Sequence, residues 1–543
     1  MNTEQLIDQL CLPQTYPHAV EVITTIETHI SMVFLTGQYA YKLKKPVDFG
    51  FLNFTQKQDR KKFCLQELRL NKRTAPDLYL DVVPIFEGLN GTLYLGDSNA
   101  LLWQPPLMAE PLDYLVKMRQ FEPSAVLGRY LTDHGLSRQQ ESLLAKQIAR
   151  LHLDANQVAS NTHLGEPETL LKPMLDNFPT LFKNADKLDQ PLLEQLFNWT
   201  HSQFKLLHAE LVDRKQSGFV RECHGDLHLD NIALINQVPT LFDGIEFNDE
   251  FRWIDGISDV AFLLIDLDFR EQPGIKRRLL SDYMRITGDY SALKLLRFYC
   301  VYRALVRAKI SALRLMQLDK KTIEYQHFKR ITSQYIEQAK TEAFERKPPQ
   351  LILLQGVSGS GKSFLSLQLL DHIEAIVISS DIERKRLFGV DALERVAEHK
   401  KTTLYSNSMN RKTYQRLQSL AKQILQLGMS VIVDATFLKT RHRQPFYKLA
   451  ESLGYACKTV YIQTDQTTAQ HAIQLRQSLN DNPSDADISV MLKQLKIIEE
   501  PVQAENTLVL KADQLRHFFP VEVVKAFLDE SKSPTNTSSL PKT

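Results

Sequence analysis

The chain has 543 residues, more than one hydrophobic core usually organises, so we expect two or three domains. Its 66 basic and 64 acidic side chains nearly cancel, and the composition therefore demands neither nucleic acid nor a membrane as a partner. Five scattered cysteines without a CxxC pair predict reduced thiols rather than a disulfide framework or a zinc site. The N-terminus lacks the layout of a secretory signal and no apolar run approaches a bilayer span, so we expect a soluble, cytoplasmic protein.

Residues 1–118 are predicted to be rich in β-strands after a helical start. Amphipathic helices are expected within residues 1–30, and β-strands are expected at 31–35, 39–45, 82–86, 92–95 and 101–103. A helix at 58–74 carries Glu67, which can pair with Lys42 or Lys44 of the second strand. We favour Lys42 as the partner. The alternative is that both lysines belong to a solvated strand face.

A mostly helical region is predicted to follow. Residues 114–118 are expected to connect the two regions, and helices are predicted at 137–152 and 191–216. His152 ends the first of these helices beside Leu151 and Leu153, so we interpret it as a core or capping histidine rather than a catalyst.

The stretch from His224 to Asp243 reads HGDLHLDNIALINQVPTLFD. It sets Asp226 and Asn231 on one loop, followed by a short apolar strand that ends in Asp243. Such a group can hold magnesium-bound triphosphate beside a hydroxyl. The motif resembles that of the aminoglycoside phosphotransferase family, which has a kinase-like fold and uses ATP as the phosphate donor. The alternative is a polar turn without a catalytic role.

This resemblance implies a role for each matching residue. Asp226 would position the acceptor hydroxyl and accept its proton, while Asn231 and Asp243 would hold magnesium on the phosphates. Lys42, paired with Glu67, would bind the phosphates. The glycine-rich cover loop of protein kinases is absent, since Gly37 is the only glycine in that region.

Two further residues of the region are interpreted as structural. His224 would fix the loop by hydrogen bonds, and Asp259 lies where related kinases place a buried aspartate that orders the catalytic loop. For Asp259 a helix N-cap is the alternative. The family acts on varied hydroxyl compounds, so the resemblance implies a small-molecule acceptor without identifying it.

The chain then changes character. Helices at 291–318 and 322–346 close the first part, and residues 347–350 form a proline-containing linker. An apolar strand at 351–355 leads directly into a complete phosphate-binding loop and then a helix. The loop residues that we expect to bind phosphate are Gly356, Ser358, Gly359, Ser360, Gly361, Lys362 and Ser363.

Further strands at 375–379, 430–433 and 458–462 alternate with helices and predict a parallel α/β sheet. Ser363 is expected to bind magnesium directly, and Asp434, at the end of the second of these strands, can hold the ion through water. Ala435 follows where many motor ATPases have a glutamate, which favours a kinase over a motor.

Candidate acceptor residues follow the strand at 375–379. Asp381 and Arg384 resemble the acceptor-binding segment of polynucleotide-kinase-like and zeta-toxin-like phosphotransferases. That resemblance implies that Asp381 acts as base toward a hydroxyl and that Arg384 holds the acceptor. The alternative makes Asp381 a helix N-cap and leaves Arg384 on the solvent face.

Three arginines remain as further candidates. Arg476, on a helix at 467–479 before a predicted lid at 480–487, can neutralise charge on the transferring phosphoryl group. Arg441 and Arg443 can bind acceptor phosphate or face water.

The predicted fold class is multidomain: an α+β protein-kinase-like fold followed by an α/β P-loop fold with a parallel sheet. The predicted ranges are 1–118 for the small lobe, 119–346 for the helical lobe, 347–350 for the linker, 351–529 for the P-loop domain and 530–543 for a disordered tail. The sequence resembles bacterial fusion proteins of these two domains.

We therefore predict an ATP-dependent phosphotransferase with ATP and Mg²⁺ at two sites and an acceptor that carries a hydroxyl group. A nucleotide or a nucleic-acid end is a possible acceptor for the second domain. The alternatives are a regulatory ATPase in which one domain senses ATP, and a toxin-like kinase that acts through the second domain. Sequence leaves the acceptors and the oligomeric state open.

Overall fold

The computed structural model describes residues 2–50, 52–88, 91–96, 110–184, 189–392, 394, 396–479, 487–502, 505–517 and 520–529. The chain divides into two compact units, Met1–Arg270 with Leu295–Ala343, and Glu271–Lys294 with Phe344–Thr543. The sequence placed a single boundary at residues 347–350. The structure additionally groups residues 271–294 with the second unit. The predicted strand at 101–103, residues 480–486 of the predicted lid and the predicted tail at 530–543 lie outside the described residues.

The first unit begins with a six-stranded antiparallel sheet in the order β1-β2-β3-β6-β4-β5. Its strands are β1 (Thr24–Glu27), β2 (Ser31–Leu35), β3 (Tyr39–Lys44), β4 (Tyr79–Glu87), β5 (Leu93–Leu95) and β6 (Asp113–Arg119). Helix α1 (Thr3–Leu10) starts at a capping box between Asn2 and Gln5, and helix α2 (Lys57–Asn71) packs against β4 and β6. Phe34, Leu43 and Leu115 belong to the apolar core of this sheet.

Two predictions for this region were wrong. Residues 24–27, expected to be helical, form β1 and pair with β2. Residues 114–118, expected to connect two lobes, lie inside β6, where Lys117 pairs with Tyr41 of β3 and Asp81 of β4. Strand β6 lies between β3 and β4, and its Leu115 and Val116 are fully buried. Their adjacent apolar side chains fit an interior strand better than an exposed connection between lobes.

The rest of the first unit is mostly helical. Its helices are α3 (Leu127–Asp133), α4 (Arg138–Asp154), α5 (Pro167–Leu175), α6 (Phe178–Asn184), α7 (Gln190–Gln216), α8 (Asp249–Arg252) and α9 (Gly256–Phe269), and, after α10 (Pro273–Thr287) of the second unit, α11 (Leu293–Leu315) and α12 (Ile323–Phe344). Four short strands form two antiparallel pairs, β7 (Val220–Glu222) with β10 (Trp253–Asp255), and β8 (Ile232–Ile235) with β9 (Val238–Leu241). The predicted catalytic loop connects β7 to β8.

The second unit is built on a five-stranded parallel sheet in the order β12-β13-β11-β14-β15. The strands are β11 (Gln350–Gln355), β12 (Ala375–Ser379), β13 (Ser430–Asp434), β14 (Ala456–Gln463) and β15 (Thr507–Lys511). The helices are α13 (Lys362–Leu370), α14 (Ser380–Phe388), α15 (Glu398–Leu404), α16 (Asn407–Gln426), α17 (Thr440–Leu453), α18 (Gln466–Leu479), α19 (Ile488–Leu495), α20 (Ala512–His517) and α21 (Val521–Asp529). Strand β11 is central, which explains its unbroken apolar sequence.

Helix α10 packs beside β12, the edge strand of this parallel sheet. The hydroxyl of Ser281 accepts a hydrogen bond from the Val377 amide at 3.0 Å, so it satisfies a backbone donor of the edge strand. Arg278 forms an ion pair with Asp371. These contacts explain why residues 271–294 group with the second unit although they lie between helices of the first.

The predicted fold class is confirmed: a kinase-like α+β half precedes a parallel α/β P-loop half. The five cysteines are free thiols. Within the described part of the chain, every helix is too short or too polar to cross a lipid bilayer.

Candidate active sites

The first candidate site is the loop between β7 and β8. Asn231 Nδ2 donates to the backbone oxygen of Asp226 at 2.9 Å and to its Oδ2 at 3.0 Å. His228 Nε2 lies 3.3 Å from the same carboxylate oxygen. Burial opposes ionisation of Asp226, but His228 lowers the pKa of its carboxyl below the usual value. The predicted base is therefore held as a carboxylate and aligned with Asn231.

Asp259 fixes the start of this loop. Its carboxylate accepts hydrogen bonds from the backbone amides of His224 at 2.7 Å and Gly225 at 2.9 Å. It lies inside α9, whose N-cap is Asp255, so the loop-ordering prediction is confirmed and the N-cap alternative is wrong. His152 is buried and lies 3.4 Å from Asp259, consistent with its interpretation as a core residue.

Gly225 is required by the backbone conformation of the loop. Its φ of +87° lies in the left-handed region, and a Cβ there would meet the Phe251 carbonyl oxygen at 2.8 Å. His224 contributes a second constraint, since its Nε2 lies 2.9 Å from the Phe242 carbonyl oxygen. The loop carrying Asp226 is thus held at His224 and Gly225, the two residues that precede it.

Both lysines of β3 meet Glu67. Lys42 Nζ donates to Glu67 Oε1 at 2.9 Å and also to Asp243. Lys44 Nζ donates to Glu67 Oε2 at 2.6 Å and to Glu246. The structure therefore brings Lys42, Glu67 and Asp243 together, and the alternative of a solvated strand face is wrong because both lysines are buried.

These buried charges depend on one another. Burial alone would raise the pKa of Glu67, but Lys42 and Lys44 lower it to about 2. Burial would likewise lower the pKa of Lys42, yet Asp243 and Glu67 raise it above its ordinary value. Glu67 and Lys42 are therefore both charged at neutral pH.

Asp243 is held in an unusual backbone conformation. Its φ is +60°, and its amide donates to the Tyr79 hydroxyl at 3.1 Å. The next amide, of Gly244, donates to Asn71 Oδ1 at 2.8 Å. Sequence reasoning missed Tyr79, Asn71 and Glu246, because their roles follow from contacts between residues far apart in the chain.

The second candidate site is the phosphate-binding loop between β11 and α13. Lys362 Nζ donates to the carbonyl oxygens of Gly356 and Val357, each at 2.9 Å. Gly359 has a φ of +82°, and a Cβ there would meet the Ala469 carbonyl oxygen at 2.6 Å. The loop therefore depends on glycine for close backbone packing as well as for exposing its amides.

Ser363 and Asp434 meet at this loop. Ser363 Oγ donates to Asp434 Oδ2 at 2.7 Å, with Asp434 at the end of β13. Burial raises the pKa of Asp434, while Lys362 and the Ser363 hydroxyl act in the opposite direction. Hydroxyl and carboxylate oxygens are the donors that Mg²⁺ prefers, so this pair fits the predicted metal position.

Asp381 and Arg384 lie on the first turns of α14. Ser379 is the N-cap of this helix, and Arg384 Nη1 donates to Asp381 Oδ1 at 2.7 Å. Arg384 is buried, with its guanidinium 4.9 Å from the Tyr405 ring centroid. Neither the N-cap role for Asp381 nor the solvent-facing role for Arg384 is found.

A large cavity is lined by most of the predicted residues of the second site. Its volume is about 1610 Å³, and Lys362, Ser363, Asp381, Arg384 and Asp434 all line it. Asn410, Tyr414 and Thr436 line it too and were missed by the sequence analysis. The polar face of α16, which repeats at helical spacing, was the available signal for Asn410 and Tyr414.

The remaining arginines separate into different roles. Arg443 is fully buried and pairs with Glu505 at 2.9 Å, so the suggestion that it binds acceptor phosphate or faces water was wrong. Arg441 is exposed and lines the cavity. The side chain of Arg476 lies outside the described residues, although its backbone belongs to α18.

The chain thus joins a unit with a kinase-like α+β fold to a parallel α/β unit that carries a phosphate-binding loop. Residues 351–501 match the family model described as "AAA domain". Over 452 residues the chain is 28% identical to an uncharacterized protein of Mycobacterium tuberculosis (strain ATCC 25618 / H37Rv), covering 82% of this chain and 85% of that protein.

Solved structures show weaker similarity. A choline/ethanolamine kinase family protein from Mesorhizobium loti has 10% identity and a TM-score of 0.38, covering 63% of this chain and 94% of that one. The Mycobacterium tuberculosis APS kinase CysC has 18% identity and a TM-score of 0.25, covering 34% and 100%. The fold assignment rests on strand order and site geometry rather than on these low scores.

Proposed function

We propose that this protein is an ATP-dependent phosphotransferase with two separate magnesium–ATP sites, one in each unit. The observation that carries the proposal is the cavity of the second unit. It brings a phosphate-binding loop, a hydroxyl–carboxylate pair suited to Mg²⁺ and a second carboxylate, Asp381, into one space of about 1610 Å³. A protein that only binds nucleotide, without a phosphate acceptor, has no need of Asp381 in this position.

In the second unit the loop amides and Lys362 bind the phosphates of ATP. Ser363 and Asp434 would hold Mg²⁺, which would neutralise charge on these phosphates. Asp381 accepts the proton of the acceptor hydroxyl, and Arg384 fixes the direction of that carboxylate through their hydrogen bond. Arg476, on α18, is assigned to the transferring phosphoryl group.

In the first unit Lys42 binds the phosphates, and Glu67 holds it in place. Asn231 and Asp243 supply the oxygen ligands for magnesium, and Asp226 positions a small-molecule hydroxyl and accepts its proton. Asp226 suits the last role because the contacts around it keep it ionised while its side chain remains 36% exposed.

The test follows the phosphoryl group. The intact protein is incubated with ATP labelled at the γ-phosphate and a small-molecule extract, alongside the variants Asp226→Asn and Lys362→Ala. We expect at least two labelled products, of which Asp226→Asn loses one and Lys362→Ala loses the other. Asp230→Asn is a control on the same loop, because the Asp230 carboxylate is partly exposed and pairs with Arg270.

Label that appears only as inorganic phosphate would contradict transfer. That result would instead favour a regulatory ATPase in which one unit senses nucleotide. Label on a product that both variants retain would show that the assigned residues are wrong.

A further inference from the structure

Two helices form one side of the second unit's cavity. Helix α16 presents Asn407, Asn410, Arg411, Tyr414, Gln415 and Gln418 to it. These positions recur at intervals of three and four residues, so they form a single polar face of the helix. Helix α17 contributes Arg441 at its first turn.

A second cavity, of about 640 Å³, continues the first between the same two helices. The two cavities share Gln415, Gln418, Arg441 and Pro445. The second adds Lys422 and Lys448. Because the shared residues line both spaces, the cavities form one groove that leads away from Asp381, and we call it the α16–α17 groove.

Positively charged side chains predominate in the α16–α17 groove. Among the described residues, Asp381 and Asp434 are the carboxylates that line the first cavity, and no carboxylate lines the second. Both carboxylates already have roles in transfer and metal binding. The cations Arg411, Arg441, Lys422 and Lys448 form no ion pair with a carboxylate within the described parts of the chain.

An ordinary solvated surface would show a different pattern. Exposed helix faces usually mix both signs of charge, often as pairs one turn apart. Helix α16 contains no acidic residue in its 20 residues. A concave, cationic surface attracts anions and raises their local concentration.

We propose that the acceptor of the second unit carries an oxyanion, a phosphate or a carboxylate, at a distance from the hydroxyl that is phosphorylated. The hydroxyl lies at Asp381 and the oxyanion lies in the α16–α17 groove against Arg411 and Arg441. This inference rests on the proposed transferase function and specifies the substrate class of that site.

The reaction is balanced without another reactant. The acceptor oxygen forms a bond to the γ-phosphorus of ATP, and the bond from that phosphorus to the bridging oxygen of ADP breaks. The hydroxyl proton passes to Asp381 and then to solvent. The groove cations take no part in this exchange, so their effect is on binding of the acceptor.

The experiment uses the full chain with Asp226→Asn, so that the first site is silent. A small-molecule extract is separated on an anion exchanger, and each fraction is tested for label transfer from γ-labelled ATP. We expect the acceptor in the retained, anionic fraction. Phosphatase treatment of that fraction before the assay distinguishes a phosphate ester, whose retention is lost, from a carboxylate, whose retention persists.

Two substitutions test the position of the oxyanion. Arg411→Ala and Arg441→Ala should each raise the KM for the retained acceptor by about tenfold or more, with little change in kcat. Lys412→Ala is the matched control, because Lys412 is the next residue of α16 and lines neither cavity. The KM of Lys412→Ala for the retained acceptor should equal that of the parent protein.

The outcomes separate the two proposals. Transfer to an acceptor in the unretained fraction, or an unchanged KM in both arginine variants, would overturn the groove assignment while leaving the transferase intact. If no fraction accepts label, the proposed transferase function of the second unit is overturned, together with this inference.

Discussion

The two units hold their phosphate-binding lysines in different ways. Lys42 is enclosed in a buried network with Glu67 and Asp243, which lie 25 and 201 residues away in sequence. Lys362 instead contacts carbonyl oxygens five and six residues before it, on the wall of a large cavity. The first lysine is therefore held by tertiary contacts, and the carbonyl contacts of the second come from its own local turn.

This difference has an energetic consequence. Removing one partner from a buried ion pair leaves an uncompensated charge, which is costly. Lys362 donates to loop carbonyls and also lowers the pKa of the buried Asp434, but it is not bonded to two carboxylates as Lys42 is, so its removal should cost less. The first lysine should therefore matter for stability as well as activity, and the second mainly for activity.

The largest expected effect tests this contrast directly. Lys42→Met should lower the free energy of unfolding of the first unit by about 4 kcal/mol, because Glu67 and Asp243 lose a buried partner. Lys362→Met should cost about 1 kcal/mol. Hydrogen exchange read by mass spectrometry, with peptides from β3 and α2 as reporters, measures the first change. Equal losses of unfolding free energy in the two variants would contradict the proposed difference between the two lysines.

The pH dependence of stability that Glu67 contributes tests the same comparison between the two lysines. The pKa of Glu67 is about 2 in the folded protein against an ordinary value of 4.5, so its ionised form stabilises the fold above about pH 4.5. That contribution, about 3 kcal/mol, should fall progressively as the pH drops from about 5 toward 2. Denaturant unfolding across this range should show the loss in the parent protein. In Glu67→Gln this part of the pH dependence should be missing, and its persistence there would contradict the ion-pair network.

The sequence predicted the second site more completely than the first, because the phosphate-binding loop is local and the lysine network of the first site is not. The strand, loop and helix around Gly356–Ser363 are contiguous, so their order was sufficient to predict the phosphate-binding loop. Glu67 was found only through its position in the predicted helix, and Glu246 and Tyr79 were missed. Their contacts depend on how β3, α2 and the segment after β9 pack, which no local pattern encodes.

The sequence also did not predict that residues 271–294 belong to the second unit. Helix α10 carries ordinary amphipathic spacing, so nothing in its sequence indicates that it packs on β12 of the second unit. Arg443 was misjudged likewise, because its partner Glu505 lies 62 residues later. By contrast, the bounds of β2 and β12 match the predicted ranges.

A smaller effect tests the place of residues 271–294. Ser281→Ala should cost the second unit about 1 to 2 kcal/mol, because the buried Val377 amide loses its acceptor. Faster hydrogen exchange in peptides that cover β12 is the expected sign. Unchanged protection of β12 would show that α10 contributes little to the second unit.

The smallest effect concerns the groove. Arg441→Ala should change the free energy of unfolding by less than about 0.5 kcal/mol, because the side chain is exposed. Arg443→Met, two residues further on, should cost about 3 kcal/mol, because it leaves the carboxylate of Glu505 without its buried partner. Thermal denaturation of both variants makes the comparison. A large loss for Arg441→Ala would assign it to structure rather than to acceptor binding.

The number of nucleotides bound by the intact chain tests the central claim most directly. Calorimetric titration with a magnesium complex of a non-hydrolysable ATP analogue should give two equivalents for the parent protein and one for Lys362→Ala. Asp226→Asn should still bind two, since that residue acts on the acceptor. A single equivalent in the parent protein, or two in Lys362→Ala, would contradict two independent ATP sites.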